Sequence, residues 1–330
     1  MALDFEQRCK ALVRDLGLGP VRSVARLTGG VASDIGVVTL ADRTVCVKFA
    51  LAKLSVAEDW FAPVHRSRAE YAWLRAAAKV VPEAVPALHG WSERENGFAM
   101  EFIHGDGVYL WKQALLAGAP SRGEAASVGD ILGRIHAAST GAGFDATPFG
   151  NSDDFNALRL EPYLRFTATR HPDLAEPLIR LADALHASRT VLVHGDVSPK
   201  NILLRGTQPI LLDAECATMG DPAFDLGFCL NHLLLKAIHL PATRDRLLLD
   251  VERLRAAYAP HVAWEPVGLL ESRVARLLPA LMLARVDGKS PVEYLSAEAR
   301  GRVRAFSTAM IRRPAADFDA FMNAFRKGEP

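Results

Sequence analysis

Residues 191–204, VLVHGDVSPKNILL, limit what this chain can fold into more than any other stretch. Val191–Val193 is a short apolar run that stops at His194-Gly195-Asp196. Pro199 has no backbone N–H and cannot continue a regular ladder, so the chain is forced open into a loop. Asn201 begins a second apolar run, Ile202–Leu204, and a third, Ile210–Leu212, closes on Asp213. The fold must hold short buried strands with Asp196 at one strand end and Asp213 at the mouth of a strand pair.

Singly, each of these polar residues is an ordinary turn residue. Together, an Asp, an Asn five positions on and a second Asp twelve beyond that have the layout of a phosphoryl-transfer site. Asp196 is in reach of a substrate hydroxyl and is the expected catalytic residue. Asn201 and Asp213 are the expected metal ligands. Mg²⁺ prefers hard oxygens, and takes one or two from protein and the rest from phosphates and water. His194 is expected to pack and orient the loop. Lys200 is placed either to reach a γ-phosphate or to lie solvated on the loop.

Composition excludes several other classes. The 39 basic and 38 acidic residues leave a net charge of +1, so nothing attracts nucleic acid or an anionic membrane in bulk. Cys9, Cys46, Cys216 and Cys229 form no CxxC pair, which argues against a structural zinc or a disulfide framework and for a reducing, cytoplasmic setting. The first residues lack the basic and apolar regions of a signal peptide. No apolar stretch reaches the roughly 20 residues that span a bilayer.

Residues 1 to about 19 read as a helix, and residues 21–49 as strands. Residues 65–81 read as a helix, and 98–103 as a strand running into the glycine-rich joint His104-Gly105-Asp106-Gly107. Beyond the joint the chain reads as helical, apart from short strands near Val191–Val193 and Ile210–Leu212. The expected fold class is α+β: a β-rich N-terminal lobe over residues 1–103 and a helical lobe over 104–330.

In the first lobe, Thr44–Phe49 alternates, with Val45, Val47 and Phe49 on one face and Cys46 and Lys48 on the other. On the following helix, Glu70 shares an apolar stripe with Trp73, Leu74, Ala77 and Val81. A carboxylate there is costly unless paired. Lys48, a phosphate-binding lysine in this reading, is the natural partner, with Glu58 as the weaker substitute. The segment 28–34, TGGVASD, lies between two strands and could fold over phosphates through its N–H groups.

HGDVSPKNIL (194–203) with LLDAECATMGDPAFDLG (211–227) resembles the motif of the aminoglycoside phosphotransferase and choline kinase superfamily, similar in fold to protein kinases. The Gly after His194 marks the small-molecule branch. The resemblance implies a bilobal kinase-like fold, ATP and Mg²⁺ as cofactors, Asp196 as base, Asn201 and Asp213 as metal ligands, and Asp225 as a brace of the catalytic loop. It implies phosphate-cradling positions at Gly30 and Ser33, and hinge positions facing adenine at Glu101 and Ile103. The implied activity is phosphoryl transfer to a small hydroxylated molecule, with an aminoglycoside kinase, a methylthioribose-, choline- or homoserine-type kinase, or a non-catalytic nucleotide-binding module as alternatives.

Two polar stretches of the helical lobe, 151–163 and 285–294, are candidate substrate walls. They mix Asp153, Asp154, Asp287 and Glu293 with Arg159, Arg285 and Lys289. That mixture suits a neutral polyol, a sugar-like molecule or a zwitterion better than a polycation. The oligomeric state is not fixed by the sequence.

Overall fold

The structure, a computed structural model, describes residues 4–27, 33–51 and 66–328. Gly30, Glu58 and residues 28–32 lie outside the described residues. Helix α1 (Phe5–Asp15) starts at Asp4, whose carboxylate accepts the Gln7 N–H at 2.7 Å. Strands β1 (Ser23–Leu27), β2 (Ser33–Thr39) and β3 (Thr44–Ala50) follow, then α2 (Arg66–Ala78), β4 (Leu88–Ser92) and β5 (Gly97–Glu101). The strands form an antiparallel sheet in the order β1-β2-β3-β5-β4. Buried Cys9, Leu12 and Val13 of α1 pack with Val38, Val45, Val47 and Phe49 on one sheet face. Trp73, Leu74 and Ala77 of α2 pack with Cys46, Phe98 and Met100 on the other. The strand alternation and the helix stripe thus bury both faces of β3, and Lys48 is carried inside.

The second part holds β6 (Val108–Leu110), α3 (Trp111–Leu116) and α4 (Glu124–Ser139). Next, α5 (Ser152–Phe155) runs through a π-helical segment, Asn156–Arg165, into α6 (Phe166–Arg170). After α7 (Ala175–Ala187) come β7 (Val191–Val193), β8 (Ile202–Arg205), β9 (Gln208–Leu211) and β10 (Thr218–Gly220). The chain ends in α8 (Pro222–His239), α9 (Arg244–Tyr258), α10 (Val267–Asp287), α11 (Ala297–Arg312) and α12 (Phe318–Lys327). β7 pairs with β10, and β6, β8 and β9 form a small sheet. β6, β8 and β10 go beyond the two strands expected here, because three- and four-residue strands are too short to show a period.

One core cluster is built almost wholly from the helices, with α8 and α10 at its centre. α4 meets α9 so closely that a Cβ at Gly129 would lie 2.2 Å from the Leu254 carbonyl oxygen. A second cluster crosses between the two parts, joining Trp73 and Phe98 to Ile131, Leu192 and Leu211. The β-rich first part and the helical second part are the expected α+β, kinase-like organisation. Among the described residues, no helix is long and apolar enough to cross a membrane.

Candidate active site

Asp196 lies in the loop after β7, and the loop is held from below. Asp225, near the start of α8, is fully buried and accepts the backbone N–H groups of His194 at 2.6 Å and Gly195 at 2.8 Å. His136 of α4 reaches Asp225 at 3.3 Å through Nε2 and the Tyr258 hydroxyl at 2.8 Å through Nδ1. Gly195 has φ +79°, and a Cβ there would lie 2.8 Å from the Cys216 Cβ. Only glycine adopts this backbone and clears this neighbour. Both ring nitrogens of His194 are engaged: Nδ1 accepts the Asp196 N–H at 3.1 Å, and Nε2 faces the Leu212 carbonyl at 3.1 Å. Burial holds its pKa below the usual histidine value. His194 is a loop-orienting residue, as its place in the sequence suggested.

The Asp196 carboxylate faces two cations. Arg159 Nη2 is 2.9 Å and Lys200 Nζ 3.1 Å from its Oδ2. Burial alone would raise this carboxyl, but Lys200 and Arg159 outweigh it and keep the group below the usual carboxylate range. Arg159 also donates through Nε to the Gly195 carbonyl at 2.6 Å. The π-helical segment, with Pro162 inside it, turns Arg159 and Tyr163 inward.

Asn201 stands at the end of the loop. Its carboxamide nitrogen donates to the Asp196 carbonyl at 3.1 Å, which leaves its oxygen free of that bond. The Leu212 N–H donates to the Asn201 carbonyl at 2.9 Å and ties the loop to the segment carrying Asp213. Asp213 has φ 70°, a strained conformation for a residue with a side chain. Its carboxylate contacts Lys48 Nζ. Burial would raise the Asp213 carboxyl, but Lys48 and Lys200 hold it well below the usual range.

Lys48 Nζ lies 2.8 Å and 2.7 Å from the two carboxylate oxygens of Glu70. Lys48 and Glu70 are 3% and 1% exposed. Burial opposes the lysine charge, yet Asp213 and Glu70 more than offset it, so Lys48 stays protonated. Glu70, desolvated and facing Asp213 as well, is pushed up to about 7. A second buried ion pair, Arg66 Nε to Glu215 Oε2 at 2.8 Å, links the start of α2 to the residue two beyond Asp213.

Two protein oxygens, from Asn201 and an ionised Asp213, are the donor set that Mg²⁺ takes when phosphates supply the rest. Among the described residues there is no group of three His, Cys, Asp or Glu side chains that could hold a metal alone. The residues therefore fit a cation carried in with phosphates.

Other expected positions are placed as follows. Ser33 opens β2 opposite Ala50 and is buried. Glu101 ends β5; its carboxylate pairs with Arg205 at 2.5 Å and its N–H donates to the Ala87 carbonyl at 2.7 Å. Ile103 is buried just beyond.

The residues of the two polar stretches have the following partners. Asp153 is 97% exposed at its side chain, 3.4 Å from His186. Asp287 is taken by Arg304 at 2.6 Å and His171 at 2.8 Å. Lys289 lies over the Phe166 ring, 5.4 Å from its centroid. Arg159 lies beneath the catalytic loop, because the π segment aims it there. Asp154 is buried in α5. Arg285 is buried too, donating to the Tyr163 hydroxyl at 3.1 Å and to Ser290 Oγ at 3.0 Å. Sequence reading missed His136, Tyr258, Arg66 and Glu215, because their partners lie tens of residues away and no short motif marks them.

The model of the phosphotransferase enzyme family matches residues 23–261. The chain is 23% identical over 265 residues to methylthioribose kinase of Bacillus cereus (strain ATCC 10987 / NRS 248), a stretch covering 71% of this chain and 63% of that protein. The chain thus spans less than two thirds of the length of the curated relatives it matches. A choline/ethanolamine kinase family protein from Mesorhizobium loti shares the fold with TM-score 0.54 and 19% identity, over 97% of this chain and 98% of that one. An amicoumacin kinase in complex with AMP-PNP and Ca²⁺ does so with TM-score 0.56 and 13% identity, over 97% and 94%. At such identities these structures speak for the kinase-like fold alone. The family match, spanning both the sheet and the catalytic loop, makes this chain a member of the phosphotransferase enzyme family.

Proposed function

We propose that this protein is an ATP- and Mg²⁺-dependent O-phosphotransferase that acts on a small hydroxylated molecule. One observation carries the reading: Asp196, Asn201, Asp213 and the Lys48–Glu70 pair, drawn from both parts of the chain, are joined by direct contacts, Lys48 to Glu70 and Asp213, and Asn201 to Asp196. Lys48, fixed by Glu70, binds the nucleotide phosphates. Asn201 and Asp213 hold the cation, which neutralises charge on the transferring phosphoryl group when bound. Ile103 and the remaining backbone groups at Glu101 face the base, with the lobe boundary at 103/104. Ser33, at the start of β2, is the described residue we assign to the phosphates.

Asp196 accepts a hydrogen bond from the acceptor hydroxyl and aims its oxygen at the γ-phosphorus. Arg159 and Lys200 make this carboxylate a weak base. That suits a loose transition state, in which the proton moves late and orientation dominates. As the oxygen–phosphorus bond forms, ADP leaves and the hydroxyl proton passes to Asp196.

The test is ADP release from ATP over a panel of methylthioribose, choline, sugars, hydroxy acids and kanamycin, with Mg²⁺ or with chelator. Transfer should require the cation, and kanamycin should be a poor acceptor. Asp196→Asn should lower turnover by about 10²-fold or more while nucleotide binding persists. Turnover within a few-fold of wild type would remove Asp196 from the reaction.

A further inference from the structure

Lys236 of α8 is 1% exposed, and among the described residues its one hydrogen-bond acceptor is the His232 carbonyl one turn back, at 3.3 Å. Among the described residues no carboxylate lies within ion-pair distance of it. Arg285 on α10 is also buried, and its Nε has no hydrogen-bond partner among the described residues. Two buried cations without a counter-anion are an expensive arrangement.

They are not isolated. Lys236 Nζ lies 5.2 Å from the Tyr294 ring centroid, and the Tyr294 hydroxyl is buried without a partner. The Arg285 guanidinium lies 5.6 Å from the Tyr163 ring. Tyr163 packs on Phe228 at 5.5 Å, and Phe228 on His232 at 5.3 Å. Lys112, Lys200, Lys236 and Arg285 all act electrostatically on buried His232. The same Tyr163 acts on Lys200 and Arg159, the two cations on Asp196. Tyr163, whose hydroxyl accepts from Arg285 at 3.1 Å, lies on the same π-helical segment as Arg159, which pairs with Asp196 at 2.9 Å. Its rim is the part-exposed Lys112, 2.5 Å from Glu293. Lys112 and Lys200 have carboxylate partners; Lys236 and Arg285 do not.

We propose that Lys236 and Arg285, with the Tyr294 hydroxyl and Lys112 at the rim, form a subsite for an anionic group of the phosphate acceptor, a carboxylate, phosphate or sulfonate carried on the same molecule as the reacting hydroxyl. An anion there supplies the missing counter-charge and the missing partners for Arg285 Nε and the Tyr294 hydroxyl. Burial together with Lys112 and Arg285 lowers the Lys236 pKa to about 7, so this setting disfavours the lysine's charge and a bound anion would restore it. The subsite rests on the kinase reading only for its role as acceptor site.

The probe is inorganic sulfate, titrated into the full chain at constant ionic strength with chloride as the balancing ion, and read by calorimetry and thermal shift. Wild type should bind sulfate, and saturating AMP-PNP with Mg²⁺ should leave that binding in place. Lys236→Met should weaken it about tenfold or more, and Lys236→Arg should retain it. Lys112→Ala, at a part-exposed position that does not threaten the fold, should weaken it severalfold. No sulfate-specific binding in wild type, or unchanged affinity in both Lys236→Met and Lys112→Ala, would overturn the proposal. So would displacement of sulfate by AMP-PNP, which would assign the ion to the nucleotide phosphate site. Failure of AMP-PNP to bind would sink the kinase reading alone, and the sulfate titrations of the variants would still decide the subsite.

Discussion

Among the described residues two lysines are almost wholly buried, and they stand in opposite electrostatic settings. Lys48, on β3, lies between Glu70 and Asp213 and is held protonated. Lys236, on α8, has a backbone carbonyl for its acceptor and other cations for its neighbours, and its pKa falls to about 7. Burial is nearly the same in both places, so the partner set decides the protonation state. The first is a preorganised charge cluster, completed before any ligand arrives. The second is incomplete, and an unmatched charge of this kind is where a ligand of opposite charge gains most.

Lys48→Met gives the largest expected effect. It leaves Glu70 and Asp213 buried without their shared cation and should cost about 3–5 kcal/mol in urea denaturation. A loss under about 1 kcal/mol would show that the cluster is not the compensated one described here.

Next in size is the coupling inside that cluster. Glu70→Ala and Lys48→Ala should each impair nucleotide binding, and the double variant should miss additivity by about 1–3 kcal/mol, as contacting residues do. Additive losses would show that Glu70 does not position Lys48.

On the other side of the comparison, Lys236→Met should stabilise the fold. In the unfolded chain Lys236 has an ordinary pKa of about 10.4. Above about pH 7 the folded protein releases this proton while the unfolded chain keeps it, so wild-type stability gains up to about 1.4 kcal/mol per pH unit from this group until pH reaches about 10. Below about pH 7 both states hold the proton and the full cost of burial stands. The advantage of the variant should therefore be largest near pH 6 and shrink toward pH 9, measured by denaturation at both. An advantage that does not change with pH would place an ordinary, charged lysine at 236.

The smallest effect belongs to Asp153. It is exposed, and Asp153→Asn should change stability and turnover by less than about 0.5 kcal/mol. A larger loss of turnover would return it to the substrate wall.

The sequence by itself determined the fold class and one line of the site. Asp196, Asn201 and Asp213 share one strand-loop-strand segment, so their spacing is set by local geometry. The Lys48–Glu70 contact was legible for a related reason: strand period puts Lys48 inside, helix period puts Glu70 on the buried stripe, and each needs the other. The tertiary structure decided the remainder. Arg159 comes to Asp196 through a π-helical turn, and His136 and Tyr258 come to Asp225 from separate helices. Asp287 and Lys289, beside Arg285 in sequence, are engaged by Arg304 and by the Phe166 ring, while Arg285 itself faces Tyr163. Lys236 looks in sequence like a polar break in an apolar helix, and only the packing of α8 against its neighbours shows that it has no counter-ion. Periodicity fixes which face of an element is buried; what that face meets depends on elements far along the chain.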